Sequence, residues 1–185
     1  TGERTVIWQR DARLAYLADE APIDAAGMAR VLHFTPHDTR ACMRMARAAR
    51  AAGTVVSIDI DNVFDGVEDV LSNVDILISS AEFPERFLGI SDPRLAITEM
   101  QSRFGCRIAG VTLGSSGSLM RSGDVFVETG GFGVPGGCQD TTGAGDAFRV
   151  GLLYGLLTGA EVEESARMAN AVAALVSPVV VKALS

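Results

Sequence analysis

The chain has 185 residues, 48% of them hydrophobic and 21% charged, the make-up of an ordinary globular protein able to bury roughly 70% of its unfolded surface. A formal net charge of −7 argues against nucleic acid as a partner, because phosphate backbones are gripped by clustered Lys and Arg. No apolar run approaches the roughly 20 residues that span a bilayer, and the opening TGERTVIWQR has neither block of a secretory signal, so a cytoplasmic protein is expected.

Arg4 to Trp8 and Leu14 to Leu17 read as short strands, and Val31 to Phe34 as a third that stops at Thr35-Pro36. Pro36 also forbids the helix that would align His33 with His37 as metal ligands. Asp38 suits the N-cap of a helix running through Ala52 and closed by Gly53. On that helix Arg40, Arg44 and Arg47 share a face, and a solvated stripe explains them better than an anion grip. Thr54 to Ile60 is rich in β-branched residues and predicts an interior strand. Asp59, Asp61 and Asn62 gather at its carboxyl end, either as a solvated turn or as part of a network around magnesium and phosphate. A short helix at Val67 to Leu71 and a strand at Val74 to Ile78 follow. Helices are expected near Ala81 to Leu88 and over Pro93 to Phe104, the second with Asp92 as cap, Pro93 at its first position and Gly105 as stop. Arg107 to Leu113 is a strand, and Gly114 to Gly117 turns the chain into strands Ser118 to Arg121 and Val125 to Glu128. A glycine-rich loop from Thr129 to Gln139 leads to two closing helices. Strand and helix in alternation imply a largely parallel sheet covered by helices, with ligands at the carboxyl ends of the strands. Cys42, Cys106 and Cys138 are too few and too scattered for a disulfide framework or a zinc site.

The string Asp140 to Phe148, DTTGAGDAF, carries the most chemistry. A helix should begin near Gly143, where unpaired amides and the helix dipole place about half a positive charge. Gly143, Ala144 and Gly145 can then offer N–H groups to an anion, and the missing side chains let a phosphate come close. Asp146, just inside the first turn, could accept the proton of an attacking hydroxyl. It could equally serve as an acid that complements the dipole. Two familiar nucleotide motifs do not apply. Gly131 to Gly136 spells GxGxxG, but Pro135 and more loop stand where a helix should open, and no P-loop string occurs.

DTTGAGDAF and the RVGLLYGLL after it resemble the C-terminal signature of the PfkB, or ribokinase-like, carbohydrate kinases, and Ala169 to Ala174 fits the helix that follows there. The resemblance implies a ribokinase-like, Rossmann-like α/β fold with a largely parallel sheet and helices on both faces. It implies ATP and Mg2+ as cofactors and a small sugar or sugar acid as acceptor, phosphorylated on a primary hydroxyl. It makes Asp146 the general base, Gly143, Ala144 and Gly145 an anion hole, and Thr112, Gly114, Gly117, Thr142 and Asn170 the nucleotide side. For the turn at Gly114 to Gly117 taken alone, a tight hairpin with glycines at positive φ explains the residues as well. At Ser79 to Glu85 the chain departs from the family's Asn-x-x-Glu, which orders magnesium. Glu82 becomes the metal-side acid if Ser79 stands for the Asn, whereas the register on Ser80 puts Phe83 in the acid's place. A capping box from Ser79 to Glu82 accounts for the same residues.

Family members are longer, so residues 1 to 185 read as one truncated domain lacking most of the sugar-contacting portion and the lid, with residues 1 to 17 a remnant of the lid region. An exposed edge strand and uncovered apolar surface would follow, favouring self-association as a homo-oligomer or a complementary segment. Two other functions stay open: a nucleotide-binding or assembly module without turnover, and a ribokinase-like kinase of a nucleoside or vitamin precursor.

Overall fold

The computed structural model of the chain describes residues 9, 11–134, 136–138 and 140–176. Arg4 to Trp8, read as a strand from sequence, and the segment after Val176 lie outside the described residues. Four short apolar stretches form parallel strands: β1 (Val31–Phe34), β2 (Val55–Ile60), β3 (Ile76–Ser80) and β4 (Ile108–Thr112). Their registers pair Val31 with Val55, Ser57 with Ile76, and Ile76 with Ile108. Ile58, Leu77, Ile78 and Val111 are almost fully buried, as expected of parallel strands covered on both faces. The strands β5 (Ser118–Ser122) and β6 (Val125–Thr129) complete a six-stranded sheet in the order β1-β2-β3-β4-β5-β6. Gly110 makes room within it, since a Cβ there would stand 2.8 Å from Met120 Cγ.

The helices between the parallel strands are α1 (Thr39–Ala51), α2 (Val67–Leu71), α3 (Glu82–Leu88) and α4 (Pro93–Phe104). Local signals set their ends. Asp92 accepts a hydrogen bond from the Leu95 amide at 2.8 Å, Pro93 takes the first position, and Gly105 closes α4 at φ +66°. Phe83, on α3, is fully buried and stacks on Phe87 with centroids 5.3 Å apart. The chain ends its described part in α5 (Ala144–Leu157) and α6 (Val162–Val176). No helix among the described residues is long and apolar enough to cross a membrane.

Three sequence expectations need correction. Leu14 to Leu17 is not a strand: single-turn 3₁₀ helices occupy Ala12–Leu14 and Ala18–Glu20. Asp11 causes the first, because its carboxylate accepts from the Arg13 amide at 2.9 Å while its carbonyl accepts from the Leu14 amide. The third parallel strand starts at Ile76 rather than Val74. The Val74 amide still closes a turn on Leu71, and the Asp75 carboxylate accepts from the Val56 amide at 2.8 Å. The capping box from Ser79 to Glu82 does not form. Ser79 is inside β3, and the N-cap of α3 is Ala81, with no side-chain bond.

Contacts divide the described residues into two compact units: a sheet unit within residues 11–112 and 119–126, and a helical unit within residues 113–118 and 127–176. In the helical unit α5 and α6 lie unusually close. Cβ atoms added at Gly151 and Gly155 would come within 2.7 Å of Ala169 Cα and 2.8 Å of Ser165 Cα. The spacing of these two glycines turns one glycine face of α5 toward α6, and backbone meets backbone there.

Candidate functional site

The helical unit holds the phosphate-type string. Asp140 Oδ1 accepts from both the amide and the hydroxyl of Thr142, at 2.8 and 2.7 Å, so one carboxylate folds the chain into a turn. The Thr142 hydroxyl is thereby engaged inside the turn. Gly143 follows at φ +79° as the N-cap of α5, a conformation open to glycine and strained for other residues. The Ala144 amide donates to the Thr141 carbonyl at 3.1 Å, and the Ala147 amide bonds back to the Gly143 carbonyl at 2.9 Å. Between them the amides of Gly145 and Asp146 open the helix, where no intrahelical acceptor exists. The Asp146 side chain is exposed in this first turn.

Gly145 is small for a second reason that the sequence did not disclose. A Cβ there would stand 2.6 Å from Nη1 of Arg149, one helical turn on. Arg149 is itself buried at 6% exposure, so a guanidinium lies against the backbone that opens the helix. The signal was present as a Gly and an Arg four residues apart, but a charged residue at that spacing reads from sequence as surface.

The turn expected to wall a nucleotide is also in this unit. Gly114–Ser116 forms a 3₁₀ turn, with Gly114 at φ +57° and Gly117 at φ +100°. The Leu113 amide donates to the Gly117 carbonyl at 2.8 Å, which closes the turn on itself. Asn170, on α6, is buried rather than set on an open surface. Its amide nitrogen reaches Thr129 Oγ1 at 2.7 Å and Ser118 Oγ at 3.1 Å.

Thr112 and Glu82 belong to the sheet unit. Ser80 pairs with Thr112 at the carboxyl edge of β3 and β4, and the Thr112 hydroxyl donates to the Ser79 carbonyl at 3.4 Å. Glu82 is exposed at the first position of α3. Phe83, which holds the acid's place in the register on Ser80, is a core phenyl, and Glu82, three residues after Ser79, is exposed. Ser79 Oγ is fully buried and has no hydrogen-bond partner among the described residues. No group of three or more His, Cys, Asp and Glu side chains suited to a metal occurs among the described residues. A lone exposed carboxylate remains compatible with magnesium, which keeps several waters and takes most other ligands from phosphates.

At the carboxyl end of β2, Asn62 Nδ2 donates to Asp61 Oδ1 at 2.9 Å, and both residues are exposed, as in a solvated turn. Of the arginine stripe on α1, Arg44 donates to the Ala18 carbonyl and so ties that helix to the 3₁₀ turn at Ala18–Glu20.

Residues 1–178 match the sequence profile of the pfkB family of carbohydrate kinases. Among curated relatives, an uncharacterized sugar kinase of Archaeoglobus fulgidus is 39% identical over 110 residues, which cover 58% of this chain and 42% of that protein. A nucleoside kinase of Methanothermobacter thermautotrophicus is 28% identical over 171 residues, covering 85% of this chain and 50% of that one. The adenosine kinase structure from Sinorhizobium meliloti superposes with a TM-score of 0.77 at 25% identity, covering 88% of this chain and 53% of that one. The fold is thus ribokinase-like, and the chain spans about half the length of these curated relatives.

Proposed function

The chain belongs to the pfkB family of carbohydrate kinases, and from that premise we propose that it moves the γ-phosphate of ATP onto a primary hydroxyl of a sugar or sugar acid. The observation that carries this reading is the opening of α5: a left-handed Gly143, amides without intrahelical acceptors, and an exposed Asp146 in the same turn. Such a helix end binds a phosphate through N–H groups and the dipole. Asp146 takes the proton of the acceptor hydroxyl as its oxygen attacks the γ-phosphorus and ADP leaves. General-base help of this kind is worth about 10²–10⁴ in rate. The amides of Gly143, Ala144 and Gly145 meet the charge on the transferred phosphoryl group, with the Ala144 N–H exchanging its bond to Thr141 for one to phosphate. Phosphoryl transfer depends chiefly on such positioning and charge stabilisation.

Gly114, Gly117 and Thr142 in the helical unit, and Thr112 in the sheet unit, are assigned to the nucleotide, and Asn170 to the same side. Glu82 is assigned to magnesium, which when bound neutralises charge on the β- and γ-phosphates. The test is magnesium-dependent ADP release from ATP across ketoses, sugar acids, sugar phosphates and nucleosides, with Asp146→Asn beside it. Release with one acceptor, reduced at least about a hundredfold in the variant, supports the reading and names the acceptor. Release unaffected by Asp146→Asn would remove Asp146 from the mechanism. ATP binding without turnover on any acceptor would mark a nucleotide-binding module instead.

A further inference from the structure

Asn170 sits in a run of small residues on α6 and is only 7% exposed. Its Nδ2 lies 2.7 Å from Thr129 Oγ1, 3.1 Å from Ser118 Oγ and 3.3 Å from the Thr129 carbonyl oxygen. A carbonyl can only accept, so the amide nitrogen, not the amide oxygen, faces this group. The amide nitrogen thus faces three acceptors inside the protein. The two hydroxyls are 2.9 Å apart and bond to each other as well. One buried amide therefore joins α6 to the first residue of β5 and the last residue of β6.

Backbone contact at the same place shows what this junction holds. A Cβ on Gly117 would stand 2.1 Å from the Thr129 carbonyl oxygen and 2.6 Å from the carbonyl carbon of Gly130. A Cβ on Gly131 would stand 2.3 Å from the Ser115 carbonyl oxygen. The turn from Gly114 to Gly117 and the segment from Thr129 to Gly131 thus touch without side chains between them. Thr129 is held on one side by Asn170 and on the other by the turn.

We infer that Asn170 is a positioning residue: through Ser118 and Thr129 it fixes the turn that borders the nucleotide, and it does not read the base. The inference rests on the nucleotide site proposed above and changes the role of one member of it. A direct base reader would discriminate between purines. A positioning residue sets the geometry for every nucleotide that uses the turn, and its effect runs through the hydroxyl of Thr129.

The experiment is a fluorescence titration of the whole chain with MANT-ATP, displaced in turn by unlabelled ATP and GTP, for Asn170→Leu, Thr129→Val, Thr129→Ser and the double variant Asn170→Leu/Thr129→Val. Asn170→Leu and Thr129→Val are each expected to weaken binding about tenfold, and equally for ATP and GTP, with the double variant no weaker than the worse single one. Thr129→Ser keeps the hydroxyl and loses a methyl group, so it stays within about twofold of the unchanged chain, whereas a role in packing alone would weaken it more than Thr129→Val, which keeps the side-chain volume. Loss confined to ATP, additive losses in the double variant, or unchanged affinity in Asn170→Leu each overturns the assignment. A loss in Thr129→Ser as large as that in Thr129→Val, or larger, does the same. If the unchanged chain binds neither nucleotide, the kinase reading falls and this inference with it.

Discussion

Replacing Gly151 by alanine should destabilise the protein although it puts a better helix former into α5. Helix propensity alone favours the change by about 1 kcal/mol. The new Cβ, however, would stand 2.7 Å from Ala169 Cα, 3.0 Å from its amide nitrogen and 3.1 Å from the Met168 carbonyl oxygen. Carbon atoms in contact prefer about 3.5–4.0 Å, so α5 and α6 must part by about 1 Å. No rotamer relieves the clash, because every one of those atoms is backbone. Overpacking of this kind costs about 1–3 kcal/mol and occasionally more, and with rigid partners the upper end applies, giving a net loss of about 2 kcal/mol. For a chain of this size that is a fall of about 4–8 °C in Tm. Urea unfolding followed by circular dichroism, with parallel thermal scans, measures it. Ala169→Gly placed in the same chain should not rescue the variant, since the obstruction is Cα and N rather than the Ala169 methyl. A Gly151→Ala chain as stable as the original, or more stable, would refute the close helix contact. So would rescue by Ala169→Gly.

Three other outcomes follow from local geometry. Gly145→Ala meets the end of a flexible side chain, Arg149 Nη1 at 2.6 Å, so stability should change by less than about 1 kcal/mol in urea unfolding. ATP affinity in a MANT-ATP titration should nevertheless fall about tenfold, because a methyl group then intrudes on the phosphate cradle. Asp92→Ala removes the carboxylate that caps α4 through the Leu95 amide and should lower stability by about 1 kcal/mol; an unchanged urea midpoint would deny the cap its role. Burial pushes the Cys106 thiol from 9.0 up to about 11, so the folded state holds its proton after the unfolded chain has released it. Its contribution is intact below pH 9.0 and fades as pH rises towards 11. Cys106→Ala should flatten the fall of the urea midpoint across that window, and an unchanged slope would count against the shift.

Much of the sheet unit could be read from sequence because its signals are local. Asp92, Pro93 and Gly105 mark the ends of α4, and Val67 to Leu71 forms the helix expected there. Where reading failed, a side chain acted over a distance or against its usual habit. Leu14 to Leu17 is a short apolar run that reads as a strand, but Asp11 folds the chain just before it into a turn. Asp75 delays β3 by giving its carboxylate to the backbone of β2. The sequence reading stops this strand at Ile78, yet Ser79 and Ser80 end it, and Ser79 is fully buried.

The candidate site divides along the same physical line. The start of α5 near Gly143 and the place of Asp146 in its first turn were legible because both are set by residue types within one short stretch of backbone. The hydrogen bonds of Asn170 were not, since its partners Ser118 and Thr129 lie 52 and 41 residues earlier. A sequence reading sees an Asn among alanines on a helix and places it by likeness to a family. Only the fold shows that its amide is already engaged. The contact between Gly117 and Thr129 was hidden for a related reason: glycine at 117 is read as a turn residue with positive φ, which it is, and its second duty of admitting another backbone leaves no further mark. Residues that hold a site together across the chain therefore have to be found from geometry, and the Thr129→Val and Thr129→Ser pair tests one of them without touching any group assigned to catalysis.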